Sequence, residues 1–193
     1  MIHNTDFEIM NQFLGDYTRE IYGRELIGKI SLSQKGIALA LSSLEKEGIL
    51  TSRKSGNMKF FSLNHQFARI KDSIVMAEIT QKTSFLSKHQ TIANLFKSDE
   101  RIMGIFGSYA KSTQKKDSDI DIFIIGEKTS QDYATKAKVY DLNVSIKYFS
   151  SKEFKDLLKK KNPLIREIID NHIILFNVER FIEYLWRDYY GFD

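Results

Sequence analysis

Two aspartates separated by one isoleucine, Asp119-Ile120-Asp121, lead directly into Ile122-Phe123-Ile124-Ile125-Gly126. Side chains on a strand alternate between its faces, so this run is expected to project both carboxylates together while Ile120, Ile122 and Ile124 face a core. Two like charges at one spot repel unless a cation sits between them. Hard oxygen ligands of this kind suit Mg2+, which typically combines a couple of carboxylates with phosphate oxygens and water.

Upstream, the strand-like run Arg101-Ile102-Met103-Gly104-Ile105-Phe106 ends at Gly107-Ser108. Glycine permits close backbone approach, and a helix starting there would point N–H groups and its positive dipole end at a phosphate. Lys111 adds a point charge. Such a site holds a triphosphate at one end and metal at the other, and promotes phosphoryl transfer by positioning and charge neutralisation.

The run F-G-S-Y-A-K-S-T-Q-K-K-D-S-D-I-D-I, residues 106–122, resembles the signature of the nucleotidyltransferase superfamily, of the minimal DNA-polymerase-β type. That signature is a hydrophobic residue, Gly, Ser or Gly, a spacer, then Asp-hydrophobic-Asp-hydrophobic. The resemblance implies that Gly107 and Ser108 hold the nucleotide phosphates and that Asp119 and Asp121 are catalytic residues binding Mg2+. An NTP, ATP first among them, is the implied substrate. Relatives usually carry a third acid on the next strand, for a base or second metal ligand. Here Leu142–Phe149 offers Asn143, Ser145 and Lys147, with Asp141 just ahead of the strand. Asp141 is therefore either the third catalytic acid or a strand-start cap.

Before residue 65 the pattern differs. Helical spacing is expected from Asp6 to about Leu14 and from Gly23 to Ile30. A third helix runs from a Ser31 or Ser33 cap, through Ile37, Leu41 and Leu44, to Gly48. Two strand-like runs around Lys54-Ser55-Gly56-Asn57 then read as a hairpin. Helix, helix, helix, hairpin is similar to the winged-helix family of regulators. That resemblance implies DNA contacts from Gln34, Lys35 and Ser42 on the third helix and from Arg53, Lys54 and Lys59 on the wing. Ala38 and Leu39 occupy places where a polar reader is common, and Gly36 inside the helix costs about 1 kcal/mol. The module also fits a dimerisation or docking role.

The expected architecture is α+β followed by α/β. A winged helix spans 1–64 and a helical connector 65–98, broken near Thr80–Thr83. A mixed sheet flanked by helices, closed by an aromatic-rich terminal helix, spans 99–193. No cysteine is present, which excludes disulfides and thiolate chemistry. His3, His65, His89 and His172 lack ligand spacing. No bilayer-length apolar run or signal-peptide pattern is visible, so a cytoplasmic location is expected. A net charge of +4 and a pI near 9.0 suit a polyanionic partner without requiring one.

These readings converge on an Mg-NTP-dependent nucleotidyltransferase with a DNA-binding or partner-targeting module. The segments YFSSKEF, NPLIREII and IILF resemble small prokaryotic nucleotidyltransferase-domain proteins, and a likeness to the toxin–antitoxin nucleotidyltransferases would imply a protein acceptor. The alternative is a transcriptional regulator that keeps a catalytically weak nucleotidyltransferase domain as a nucleotide sensor. A homodimer is compatible with either.

Overall fold

A computed structural model describes residues 4–193. The chain divides into two compact units, Met1–Ala77 and Glu78–Asp193.

In the first unit, helix α1 (Asn4–Met10) buries Ile9 and Met10, and the chain that follows buries Phe13, Tyr17, Ile21 and Leu26. Strand β1 (Ile21–Tyr22) comes next. The helix expected over Gly23–Ile30 reduces to a 3-10 turn at Gly23–Leu26. Gly28 takes φ +78° directly after it, which ends any helical path. Helix α2 (Gln34–Lys46) is capped by Ser33, whose hydroxyl accepts from the Gly36 N–H at 3.2 Å. Gly36 thus sits in the capped first turn, where its lack of a side chain costs less than in a helix interior. Ile37, Ala40, Leu41 and Leu44 form the buried stripe.

Gly48, at φ +80°, closes α2 and sends the chain into β2 (Leu50–Ser55) and β3 (Met58–Leu63). Ser55 pairs with Met58, leaving Gly56-Asn57 as the loop, with Gly56 at φ +57°. A two-residue hairpin of this kind needs positive φ at its first position. β1, absent from the sequence expectation, pairs with β3 to give a three-stranded antiparallel sheet in the order β1-β3-β2.

Helix α3 (Ile70–Lys88) runs without interruption through Thr80–Thr83, where a break was expected. The Thr83 hydroxyl donates to the Ile79 carbonyl at 2.8 Å, so its polar group is satisfied within the helix. The interruption falls at His89, before α4 (Gln90–Leu95).

The second unit is built on a four-stranded mixed sheet, β6-β5-β4-β7. Its strands are β4 (Ile102–Phe106), β5 (Ile120–Ile125), β6 (Val144–Phe149) and β7 (Ile173–Phe176). β4 is antiparallel to both β5 and β7, whereas β5 and β6 are parallel. The parallel pair needs a crossover, supplied by α6 (Tyr133–Lys138), which Asp132 caps.

One sheet face presents Met103, Ile105, Ile120, Ile122, Ile124, Ile173 and Leu175 to Phe85, Ile92, Leu95, Phe96, Tyr133 and Ala137. On the opposite face Phe123 meets Phe106 and Phe181, and Phe181 meets Phe154. The helices there are α7 (Ser151–Lys159), α8 (Pro163–Asp170) and α9 (Val178–Tyr184). Phe181, Leu185 and Trp186 of the terminal aromatic stripe are buried in closing this layer. The result is helices on both faces of a mixed sheet. At the start of β4, Arg101 pairs with Asp99 at 2.6 Å and Asn177 donates to the Arg101 carbonyl at 2.9 Å, which fixes the strand that leads to the site.

Candidate active site

Antiparallel pairing of β4 with β5 ends at Phe106 opposite Asp121, so the bend that follows Phe106 lies against that aspartate. Gly107 adopts φ +70°. A Cβ there would lie 2.4 Å from Asp121 Oδ2, so only glycine lets the backbone bend pack on this carboxylate. Gly107–Ala110 forms a single helical turn, α5. A macrodipole needs several aligned peptides, so backbone groups and nearby cations dominate the electrostatics of this bend.

The chain returns through residues 111–119. The Lys115 N–H donates to Ser118 Oγ at 2.8 Å and the Ser118 N–H to the Lys115 carbonyl at 3.1 Å, a closed turn directly before Asp119. Asp119 is exposed and Asp121 half-buried. Burial, the charge of Asp119 and the charge of Glu167 together hold the Asp121 carboxyl above its usual range, against opposing effects of Lys147 and Lys111. The two aspartates therefore act on each other electrostatically, and a cation between them would relieve both the repulsion and the desolvation.

Ser108 is half-buried in α5, and its carbonyl accepts the Thr113 N–H at 2.9 Å. Lys111 Nζ lies 2.9 Å from Glu167 Oε1 on α8. Asp141 is exposed at φ +53° in the turn before β6, its N–H bonded to the Lys138 carbonyl. It is not among the charges acting on Asp121. On β6, Ser145 pairs with Asp121 and Lys147 with Phe123, so Ser145 and Lys147 share the face of Asp121 and no carboxylate occupies the strand. Glu167, which the sequence reading did not single out, enters from α8. No cluster of three or more His, Cys, Asp or Glu able to hold a metal exists among the described residues. Two carboxylates of hard oxygen nonetheless fit a magnesium ion whose other ligands come from a triphosphate.

In the first unit Gln34, Lys35 and Ser42 are exposed on α2, beside Ala38 and a 62% exposed Leu39. Arg53 makes a two-point contact with Glu20 and stacks 4.9 Å over Phe60. Lys59 pairs with Glu45 at 2.6 Å, and Lys54 is exposed.

A mixed sheet flanked by helices carries a glycine bend packed on a paired-aspartate strand, an arrangement compatible with a nucleotidyltransferase fold. Consistent with that class, the family model described as polymerase beta, nucleotidyltransferase matches residues 90–180. The match supports the nucleotidyltransferase superfamily for this segment and nucleotidyl transfer as its general chemistry. No curated protein and no solved structure matches the chain. No helix among the described residues is long and apolar enough to cross a membrane.

Proposed function

We propose that the chain transfers a nucleotidyl group from an Mg2+-bound NTP, ATP first, to an acceptor hydroxyl, with a protein as the acceptor class. The observation that carries this reading is the packing of Gly107 on Asp121, with Asp119 acting on the same carboxyl. Asp119 and Asp121 would hold magnesium, which when bound neutralises charge on the triphosphate. Gly107 and Ser108 shape a bend against which the phosphates rest, and Lys111 offers them a cation. Attack on the α-phosphorus then depends on in-line positioning of the acceptor.

The first unit serves targeting in this reading. Its three-stranded sheet and the exposed face of α2 support a winged-helix assignment, with Gln34, Lys35, Ser42 and Lys54 toward DNA or a partner. A second reading, a nucleotide sensor, is favoured by one observation, the absence of an acid on β6. Incubation with α-labelled NTPs, Mg2+ and candidate acceptor proteins separates the two. Label transfer that is lost in Asp119→Asn and Asp121→Asn supports the enzyme. Aspartate-dependent nucleotide binding without transfer supports the sensor, and binding indifferent to both substitutions removes both readings.

A further inference from the structure

Relatives of the proposed class place a third acid on the strand that here holds Ser145 and Lys147, so the proton of the attacking hydroxyl lacks an evident acceptor. Glu167 is a carboxylate that the fold brings to Lys111, the lysine that follows the α5 turn. Its helix is firmly seated. Asn162 caps α8 by accepting the Leu164 N–H at 3.0 Å, Pro163 occupies the first turn, and Ile165, Ile168 and Ile169 are fully buried. Glu167 projects from the exposed side, with 44% of its side chain accessible, and contacts Lys111 at 2.9 Å. Lys111 in turn follows the α5 turn that begins at Gly107, the residue packed on Asp121. The charge of Glu167 is felt at Asp121, which puts the two acids in one electrostatic neighbourhood.

Resting on the nucleotidyl-transfer reading above, we propose that Glu167 is the third acid of this site and that Lys111 holds it until a triphosphate takes the lysine. A polyanionic phosphate competes for the same ammonium that Glu167 now engages. Once Lys111 turns to the phosphates, the Glu167 carboxylate is released next to the reacting centre. The acceptor oxygen then bonds to the α-phosphorus, the bond from that phosphorus to the α,β-bridging oxygen breaks, and pyrophosphate leaves with the electron pair. The hydroxyl proton passes to Glu167, which returns it to solvent.

The test uses the full chain and two measurements. Calorimetry follows binding of the magnesium complex of α,β-methylene-ATP, and AMP formation from α-labelled ATP follows turnover with water as stand-in acceptor. Glu167→Gln is expected to bind the analogue a few-fold more tightly, because Lys111 is no longer shared, while AMP formation falls on the order of 100-fold or more. Glu167→Asp restores part of the rate, and Lys111→Ala weakens analogue binding. A Glu167→Gln protein with unchanged turnover, or with weaker binding and a lowered Tm, overturns the proposal and leaves Glu167 a structural ion-pair partner. Failure of the underlying reading looks different. In that case Asp121→Asn binds the analogue as wild type does, or wild-type protein forms no Asp121-dependent AMP.

Discussion

Replacing Gly107 by alanine tests the geometry on which the site depends. The new Cβ would lie 2.4 Å from Asp121 Oδ2, 3.2 Å from its Cγ and 3.3 Å from its Cβ. The closest of these is about 1 Å inside normal contact. β5 is paired on both sides of this position, to Phe106 and to Ser145, so the carboxylate must rotate because its backbone is held. Two costs add. Alanine at φ +70° costs about 1–2 kcal/mol in the left-handed region, and an off-rotamer aspartate costs about 0.5–1.5 kcal/mol. A loss of roughly 1.5–3.5 kcal/mol lowers Tm by about 3–14 °C in a chain of this size. Calorimetric titration of Mg-ATP at 25 °C, where the variant is still folded, should show affinity reduced at least about tenfold, the equivalent of 1.4 kcal/mol. Gly104→Ala is the control, since its Cβ would meet the Phe123 ring at 2.6 Å and the Ile173 carbonyl at 3.0 Å, away from the carboxylates. It should destabilise through overpacking and spare nucleotide affinity in the folded fraction. Unchanged Tm and unchanged Mg-ATP affinity in Gly107→Ala would refute the packing argument.

Other perturbations follow from the same structure. Burial, Asp119 and Glu167 raise the Asp121 pKa, so ionised Asp121 opposes folding above its folded value and ceases to do so as pH falls through it. Asp121→Asn should therefore raise metal-free stability at neutral pH while abolishing Mg-dependent nucleotide uptake. Wild-type uptake should in turn fade on acidification before the ordinary carboxylate range is reached. Glu78 and His172 form a buried pair at 2.8 Å, with His172 Nδ1 also within 3.0 Å of the Ile168 and Ile169 carbonyls. Burial alone would lower the His172 pKa, but the Glu78 carboxylate and those carbonyls outweigh it and raise it. Glu78→Ala should cost about 3–5 kcal/mol by denaturant titration. The gap to wild type should narrow as pH rises through the His172 value, where the stability the pair contributes is lost. Finally, Glu20→Ala with Glu45→Ala frees Arg53 and Lys59, so duplex DNA binding should tighten and its salt slope steepen by about 1–2. An unaltered slope would argue that the wing does not meet phosphate.

Much of the second unit was legible because its signals are local. The Asp119–Ile125 alternation and the Gly107 bend each occupy a few consecutive residues whose chemistry permits little else. The failures have physical causes as well. Over Gly23–Ile30, where a helix is expected, Gly28 takes positive φ and Ile30 instead forms a bridge with Ile27. β1 has two residues, too few to carry a period, and exists because β3 offers it an edge. The break expected at Thr80–Thr83 followed helix propensity, which packing and a satisfied hydroxyl override. Glu167 could not be found at all, since nothing in a helical heptad announces that one exposed glutamate will meet a lysine far upstream. Only the sheet order and the seating of α8 bring Glu167 to Lys111.

Lys111, Arg53 and Lys59 were each expected to meet a phosphate, and each is engaged by a carboxylate of this chain, namely Glu167, Glu20 and Glu45. This changes what a basic pI means here. A free lysine gains Coulomb energy and releases a counterion when it meets a polyanion, whereas a paired lysine must first give up its own anion. Binding at these positions is an exchange of one carboxylate for one phosphate, so its net strength is small and its salt dependence shallow. Specificity then comes from what the exchange liberates. At the wing the freed anions are Glu20 and Glu45, the latter still accepting the Ser52 hydroxyl, and neither lies near the nucleotide site in sequence or strand order, so exchange there only weakens binding. At the nucleotide site the freed anion is Glu167, whose charge acts on Asp121. The same pairing that attenuates a DNA contact would, in the second unit, couple arrival of the triphosphate to delivery of the base.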